Sequence, residues 1–154
     1  MDKYYTPEIE EFHIGFEYEF QTLKGWEKRK LNEVYHGYYC TLSEVDEGLK
    51  EGNIRVKYLD KSDIEDLGFE TMGSGWYKNS LKLDLAEIPH WTNIALRTWH
   101  DSSLFIEGYR GEINSENEDC GKLFDGVIKN KSELIKLLIQ LRIITTFVSD
   151  EAKH

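Results

Sequence analysis

The first part of the chain alternates between apolar and polar side chains. Residues 10 to 21, EEFHIGFEYEFQ, carry an apolar residue at almost every second position, which is typical of a strand with one buried face. Alternation places Phe12, Ile14, Phe16, Tyr18 and Phe20 on one face. The opposite face carries Glu11, His13, Glu17, Glu19 and Gln21. The segment therefore predicts a half-buried strand whose polar face holds carboxylates and an imidazole.

A hairpin and two further strands are predicted before residue 60. TLKGW places Gly25 where a turn needs a residue that tolerates positive φ. The next run, EKRKLNEVYHGYYC, is ambiguous, but its β-formers favour a strand in which Gly37 marks a bulge. IRVKYL then alternates again, with Ile54, Val56 and Tyr58 opposite Arg55, Lys57 and Leu59.

Two short helices are predicted around that strand. TLSEVDEGLKEGN reads as an amphipathic helix with Ser43 as N-cap and Gly52 with Asn53 as its stop. DKSDIEDLGF makes one to two helical turns, capped by Asp60 or Ser62. Gly68 closes this helix in a left-handed conformation, and Phe69 packs back on it.

Residues 69 to 128 are rich in strand and turn signals. FETMGSGWYKNSLKLDL predicts a hairpin around Gly73-Ser74-Gly75, with LKLDL continuing the alternation. IPHWTNIALRTWHDSSLFIEGYRGEI predicts two strands joined at Asp101-Ser102-Ser103. Residues 111 to 121, GEINSENEDCG, form a polar loop that we expect to be flexible, before a strand KLFDGVI.

The final element shows the strongest periodicity in the chain. NKSELIKLLIQLRI begins with a capping-box pattern of Asn130 and Glu133 and predicts a helix that packs on the sheet. Its apolar positions are Leu134, Leu137, Leu138 and Leu141, and the same face continues through Ile143 and Ile144. This extended apolar face offers a surface for a homo-oligomer.

These elements predict an α+β fold. We expect a mostly antiparallel sheet of about six to eight strands, with two short helices and a longer C-terminal helix packed on it. The chain has 154 residues, no internal repeat and no linker-like segment, so residues 1–154 are predicted to form a single globular domain.

Composition narrows the function classes. A net charge of −10 argues against a protein that coats duplex nucleic acid or an anionic membrane. Cys40 and Cys120 lack the spacing of a zinc site or a disulfide framework, and the start of the chain does not read as a signal peptide. The stretch LLIQLRIITTF is too short and too polar to span a bilayer. We therefore expect a cytoplasmic protein with no cofactor and no metal.

The acidic residues fall into two clusters, which are most simply solvated faces and loops. The first is Asp2, Glu8, Glu10, Glu11, Glu17 and Glu19, and the second is Glu112, Glu116, Glu118 and Asp119. Within the first cluster, Glu17 and Glu19 are two residues apart on one strand face. Their Cα atoms are expected to be about 6.5 to 7 Å apart, a spacing also found between paired catalytic carboxylates.

Catalytic motifs are missing from the sequence. The histidines are His13, His36, His90, His100 and His154, and no two have HxH or HxxxH spacing. Neither a GxSxG nucleophile motif nor a P-loop is present, since Gly73-Ser74-Gly75 lacks the lysine of a phosphate-binding loop. The sequence favours a protein that is not an enzyme, with a hydrolase using Glu17, Glu19 or His13 as an open alternative.

A basic and aromatic stretch is the strongest binding candidate. HWTNIALRTWHDSSLFIEGYR spans residues 90 to 110, and alternation places Arg97, Trp99 and Asp101 on one face. An aromatic ring can stack on a base while a neighbouring guanidinium binds phosphate oxygens. The predicted ligand-binding residues are Trp91, Arg97, Trp99, His100, Tyr109 and Arg110.

Three further segments carry a family resemblance. They are YYTPEIEEFHIGFEYE, RVKYLDKSDIEDLGFE and VIKNKSELIKLLIQL. Together they resemble short, uncharacterised proteins encoded by bacteriophages and prophages, over about a third of the chain. Residues 71 to 126 match less well, and no functional residues follow from the resemblance.

The resemblance implies a phage context, in which small proteins without enzyme motifs often act by binding, and one such role is to block host antiviral defence. The expected function is a non-catalytic protein that sequesters a nucleotide immune signal in the host cell cytoplasm, as a sponge for a cyclic nucleotide. An acidic inhibitor that covers a nucleic-acid-binding surface of a host defence protein is the alternative, and a small hydrolase is the second. The expected partner is therefore a small nucleotide or a host protein.

Overall fold

The computed structural model describes residues 3–35, 38–80 and 91–143, without the side chains of Tyr35, Tyr38 and Ser80. The chain divides into two compact units, Met1–Tyr58 and Leu59–His154. Both contain antiparallel strands and at least one helix, which confirms the predicted α+β class. The strands belong to a four-stranded, a five-stranded and a two-stranded sheet, whereas the sequence indicated one sheet. The single domain over residues 1–154 stays a prediction.

The strands of the first unit are β1 (Tyr4–Tyr5), β2 (Glu17–Thr22), β3 (Gly25–Lys30), β4 (Val34–Tyr35), β5 (Tyr38–Tyr39) and β6 (Ile54–Lys57). Four of them form an antiparallel sheet with the order β1-β6-β2-β3. Gly25, with φ of 115°, closes the predicted hairpin between β2 and β3. A separate two-stranded sheet pairs β4 with β5, while Gly37, the predicted bulge, lies outside the described residues.

The predicted strand over residues 10–21 is wrong in its first half. Ile9–Glu11 forms one turn of 3₁₀ helix, and the N–H of Phe16 donates to the carbonyl of His13 in a tight turn. Gly15 has φ of 84° in this turn, so regular alternation starts only at Phe16. Ile14 is consequently 79% exposed instead of buried. The prediction fails because apolar and polar residues continue to alternate in the sequence through the turn, although the chain changes direction there.

Helix α1 (Leu42–Glu51) packs on the sheet through a glycine. A Cβ atom at Gly48 would lie 2.7 Å from Cδ1 of Ile54, so only glycine permits this close approach of helix to strand. The N-cap is Thr41, whose hydroxyl accepts from the N–H of Glu44, and not the predicted Ser43. Gly52 ends the helix with φ of 74°, as predicted. The buried core comprises Phe16, Tyr18, Leu31, Cys40, Val45, Ile54 and Val56.

The strands of the second unit are β7 (Glu70–Gly73), β8 (Trp76–Ser80), β9 (Asn93–Thr98), β10 (Ser103–Tyr109) and β11 (Cys120–Val127). They form a five-stranded antiparallel sheet with the order β11-β10-β9-β8-β7. Both predicted hairpins are present, since Gly73-Ser74-Gly75 joins β7 to β8 and residues 99–102 join β9 to β10. The predicted strand LKLDL lies outside the described residues.

Two helices complete the second unit. Helix α2 (Lys61–Asp66) has Asp60 as its N-cap in a reciprocal capping box with Asp63, which decides between the two predicted caps. Helix α3 (Lys131–Gln140) is capped by Asn130, whose side chain accepts from the N–H of Glu133. Both α1 and α3 have ten residues, so the C-terminal helix is not the longer one.

Helix α3 packs on one face of the five-stranded sheet, as predicted. Leu134 and Leu138 are fully buried, and Leu137 and Leu141 are partly buried beside them. Ile143 is also buried, so it does not add to an exposed apolar face, and Ile144 lies outside the described residues. The core is completed by Ile64, Leu67, Phe69, Tyr77, Ile94, Leu96, Leu104, Ile106 and Ile128.

Candidate ligand-binding site

The sheet face opposite α3 carries the candidate site. In an antiparallel sheet, residues directly opposite one another point to the same face. Trp76, Arg97, Phe105 and Asp125 are successive partners across β8, β9, β10 and β11, so they form one row. This row lies on the face opposite the buried Leu96 and is the scaffold of the site.

Arg97 lies between two indole rings. Its guanidinium carbon is 5.1 Å from the ring centroid of Trp76 and 4.7 Å from that of Trp99, within the range of cation–π attraction. Its Nε atom is buried and donates to no acceptor in the part of the chain that the structure describes. A buried donor without an acceptor lowers the stability of the folded protein by about 1–3 kcal/mol, so such atoms are rare in folded proteins.

The turn after β9 presents the remaining polar groups at this end of the sheet. Trp99 keeps 39% of its surface exposed, and His100 and Asp101 are also exposed. Asp101 lies in the predicted turn, where its carboxylate accepts from the N–H of Ser103, so the strand alternation that placed it beside Arg97 and Trp99 ends at Thr98. This backbone hydrogen bond lowers the pKa of Asp101. The exposed indole and the turn form the open side of the candidate site.

Trp91 belongs to the opposite face of the sheet. Its ring covers Gly108 and Gly121, which are partners across β10 and β11, and it packs against the core under α3. A Cβ atom at Gly108 would lie 2.5 Å from Cδ2 of this ring. Trp91 is therefore a packing residue and does not join Arg97.

Tyr109 and Arg110 lie at the far end of β10. They follow Phe105, the partner of Arg97, by four and five residues, which places them about 13 and 17 Å further along the strand. Tyr109 is buried, and this burial together with a hydrogen bond to the Glu107 carboxylate raises its pKa well above the ordinary value. Arg110 is half-exposed and lies 4.0 Å from Asp119. The six predicted residues thus do not form one cluster.

Trp76 is the residue that sequence reasoning missed. It follows the Gly73-Ser74-Gly75 turn and begins β8, where the sequence predicted only a hairpin strand. Its neighbourhood with Arg97 depends on the pairing of β8 with β9. An aromatic residue at the start of a strand does not by itself indicate a ligand site. Its position next to Arg97 follows from strand register, which is set by long-range pairing.

The polar face of β2 is occupied by ion pairs. Arg55 donates through Nη2 and Nε to Oε1 of Glu19 at 3.0 and 3.3 Å, and Lys30 lies 3.6 Å from Glu17. The guanidinium of Arg55 also lies 3.6 Å from the ring centroid of Tyr4 and 4.2 Å from that of Trp26. Glu19 and Glu17 therefore act as structural partners of Arg55 and Lys30.

A metal-dependent hydrolase finds no support on that face. Among residues 3–35, 38–80 and 91–143, no three His, Cys, Asp or Glu side chains approach closely enough to hold a metal ion. His36, His90 and His154 lie outside those ranges. The Nδ1 atom of His13 instead lies 3.3 Å from the carbonyl of Ile14 in the turn before β2.

The acidic loop over residues 111–119 has an internal hydrogen-bond network. The amide of Asn117 donates to the carbonyls of Arg110 and Glu112 at 2.9 and 2.7 Å and accepts from the N–H of Asp119. The side chain of Asn114 accepts from the N–H of Glu116. The loop thus has a defined shape in which Glu112, Glu116, Glu118 and Asp119 are all exposed. Its predicted flexibility stays a prediction.

The fold and site define an α+β protein with an arginine held between two tryptophans on a sheet face. Comparison with known proteins adds no relationship, since no family model, no curated protein and no solved structure matches the chain significantly. Within the described ranges, no helix is long and apolar enough to cross a membrane.

Proposed function

We propose that this protein is a non-catalytic binding protein that sequesters a small nucleotide through Arg97 and Trp99. In the phage context that the three sequence segments imply, the nucleotide is an immune signal of the host cell. The protein acts in the host cytoplasm and counters antiviral defence by lowering the free concentration of this signal.

The observation that carries the proposal is the contrast between two arginines with similar aromatic neighbours. Arg55 has two rings beside it and a carboxylate partner, Glu19. Arg97 also has two rings beside it, but its buried Nε has no acceptor among the described residues. Because the Nε atom is buried, a ligand phosphate accepts from the terminal nitrogens of this guanidinium, and the exposed Trp99 ring supplies a stacking surface for a base.

A thermal-shift screen against a nucleotide panel tests this function. The panel contains mononucleotides, cyclic mono-, di- and trinucleotides and cyclic ADP-ribose isomers, and the ligand is recovered by HPLC. A ligand at a hundred times its Kd stabilises the folded protein by about 2.7 kcal/mol, which raises Tm by several degrees. Recovery of an intact nucleotide supports sequestration, recovery of a cleaved one indicates an enzyme, and no shift with any nucleotide rejects the proposal.

A matched pair of variants assigns the site. Arg97→Gln and Arg110→Gln remove the same charge from the same unit, but Arg110 lies about 17 Å along the strand from the row of Arg97. We expect Arg97→Gln to weaken nucleotide binding at least tenfold and Arg110→Gln to change it less than twofold. Equal effects of the two changes would show that only net charge matters.

The acidic loop favours a second candidate function. It carries four exposed carboxylates on a loop whose backbone accepts hydrogen bonds from Asn117, and the chain has a net charge of −10. These features suit an inhibitor that covers a basic, nucleic-acid-binding surface of a host defence protein. Such an inhibitor would bind its partner with a steep salt dependence, and Arg97→Gln would leave that binding unchanged.

A further inference from the structure

The charges around Arg97 limit the kind of nucleotide that the site can take. Register places six charged side chains on the face opposite α3, within the described parts of β7, β8, β9, β10 and β11. The cations are Lys78, Arg97 and Lys122, and the carboxylates are Glu70, Glu107 and Asp125. The face is therefore electrically balanced, although it contains the candidate anion site.

Asp125 is the carboxylate in the same row as Arg97. Two strand spacings separate them, or about 10 Å, which is close to the Debye length at 0.1 M salt. Asp125 is exposed, so its repulsion of an anion bound at Arg97 acts through the solvent. The repulsion grows in proportion to the charge of the ligand, because each added charge meets the same carboxylate.

Arg97 itself balances one negative charge. A phosphodiester carries one charge per phosphorus, whereas a terminal phosphate carries about 1.5 to 2 at pH 7 and a nucleoside triphosphate carries more. A polyphosphate would therefore bring several uncompensated charges to a face with three carboxylates and to a chain of net charge −10. A ligand with one phosphodiester leaves neither the guanidinium nor the ligand uncompensated, whereas each further phosphate adds a charge that Arg97 does not balance.

We infer that the ligand of the Arg97 site is a small nucleotide whose single phosphate is a phosphodiester, as in a cyclic mononucleotide, rather than a terminal mono- or triphosphate. This inference rests on the proposed nucleotide-binding function. The base stacks on the exposed side of Trp99, and the diester oxygens accept hydrogen bonds from the guanidinium that Trp76 and Trp99 hold in place.

Binding constants for chemically matched ligands test the inference. The probes are the 3′,5′-cyclic monophosphate, the 5′-monophosphate and the 5′-triphosphate of adenosine and guanosine, with cyclic dinucleotides and their linear 5′-phosphorylated forms. We expect the cyclic compound of at least one set to bind tenfold or more tightly than its partners with terminal phosphates. If terminal phosphates bind as tightly, the inference is wrong while the proposed function stands. If no nucleotide binds, both fail.

An Asp125→Asn variant tests the electrostatic cause. Removing this carboxylate should tighten binding of the cyclic monophosphate about twofold in low salt and that of the triphosphate about tenfold. Glu118→Gln, in the exposed loop beyond the far end of β10, makes the same change in net charge and serves as the control. Equal effects of the two variants on each ligand would refute a role for the charge balance of this face.

Discussion

Arg55 and Glu19 face each other across β6 and β2, and two nitrogens of the guanidinium donate to one carboxylate oxygen at 3.0 and 3.3 Å. Tyr4 and Trp26 lie beside the same guanidinium. Glu19, a candidate catalytic carboxylate by sequence, is therefore a partner in a partly buried ion pair. Arg55 can therefore be compared with Arg97, which also lies beside two aromatic rings.

Removing Arg55 should destabilise the first unit. Arg55→Ala deletes the ion pair and both ring contacts and leaves a half-buried carboxylate, so we expect a loss of about 2 kcal/mol of unfolding free energy. Urea unfolding measures this loss, and a double-mutant cycle with Glu19→Gln gives the coupling. A coupling below about 0.3 kcal/mol would mean that the pair contributes no more than an exposed one.

The helix cap can be tested with two adjacent hydroxyl residues. Thr41→Ala removes the acceptor of the Glu44 N–H and should cost about 1 kcal/mol. Ser43→Ala lies inside α1, where alanine is the better helix former, and should change stability by less than about 0.5 kcal/mol. Chemical denaturation of both variants measures the difference, and a larger cost at Ser43 would contradict the cap assigned to Thr41.

The contact between Gly108 and Trp91 predicts a graded steric effect. Gly108→Ala places a Cβ atom 2.5 Å from the indole and should cost about 2 kcal/mol, whereas the same change at Gly121 meets the ring at 3.1 Å and should cost less. Thermal unfolding measures both costs. In a Trp91→Leu background the penalty at Gly108 should nearly disappear, and an unchanged penalty would place its origin elsewhere.

Buried tyrosines predict a loss of stability at alkaline pH. Burial raises the pKa of Tyr18 and of Tyr109 well above 10.0, helped at Tyr18 by Cys40 and at Tyr109 by Glu107. In the unfolded chain these tyrosines ionise near pH 10, so the unfolded state loses its protons first. Their contribution to stability is therefore fully present below about pH 9.5 and is lost as the pH rises through 10 and beyond.

Absorbance of tyrosinate at 295 nm checks this sign. We expect the signal of Tyr18 and Tyr109 to appear only together with loss of the folded-state circular dichroism. The variants Tyr18→Phe and Tyr109→Phe should each flatten the fall of stability above pH 10. Full ionisation of all tyrosines in the folded protein near pH 10 would contradict the burial of these two side chains.

Much of the secondary structure could be read from local patterns. Gly25, the Gly73-Ser74-Gly75 turn and the Asn130 cap act within a few residues, so the hairpins and α3 were predictable with useful accuracy. The break at Gly15 was not, because alternation of side chains continued through a turn. The candidate site was found in part, since Arg97 and Trp99 lie two residues apart in the chain.

By itself the sequence determined the α+β class, most helix and strand positions and the basic and aromatic character of residues 90–110, because these depend on periodicity and on side chains close in the chain. Only the tertiary structure brought Trp76 to Arg97, moved Trp91 to the core face and separated Tyr109 and Arg110 from the site. The physical reason is strand register: a partner across a sheet is chosen by long-range hydrogen bonding and by burial of one face, and neither is encoded in a local pattern.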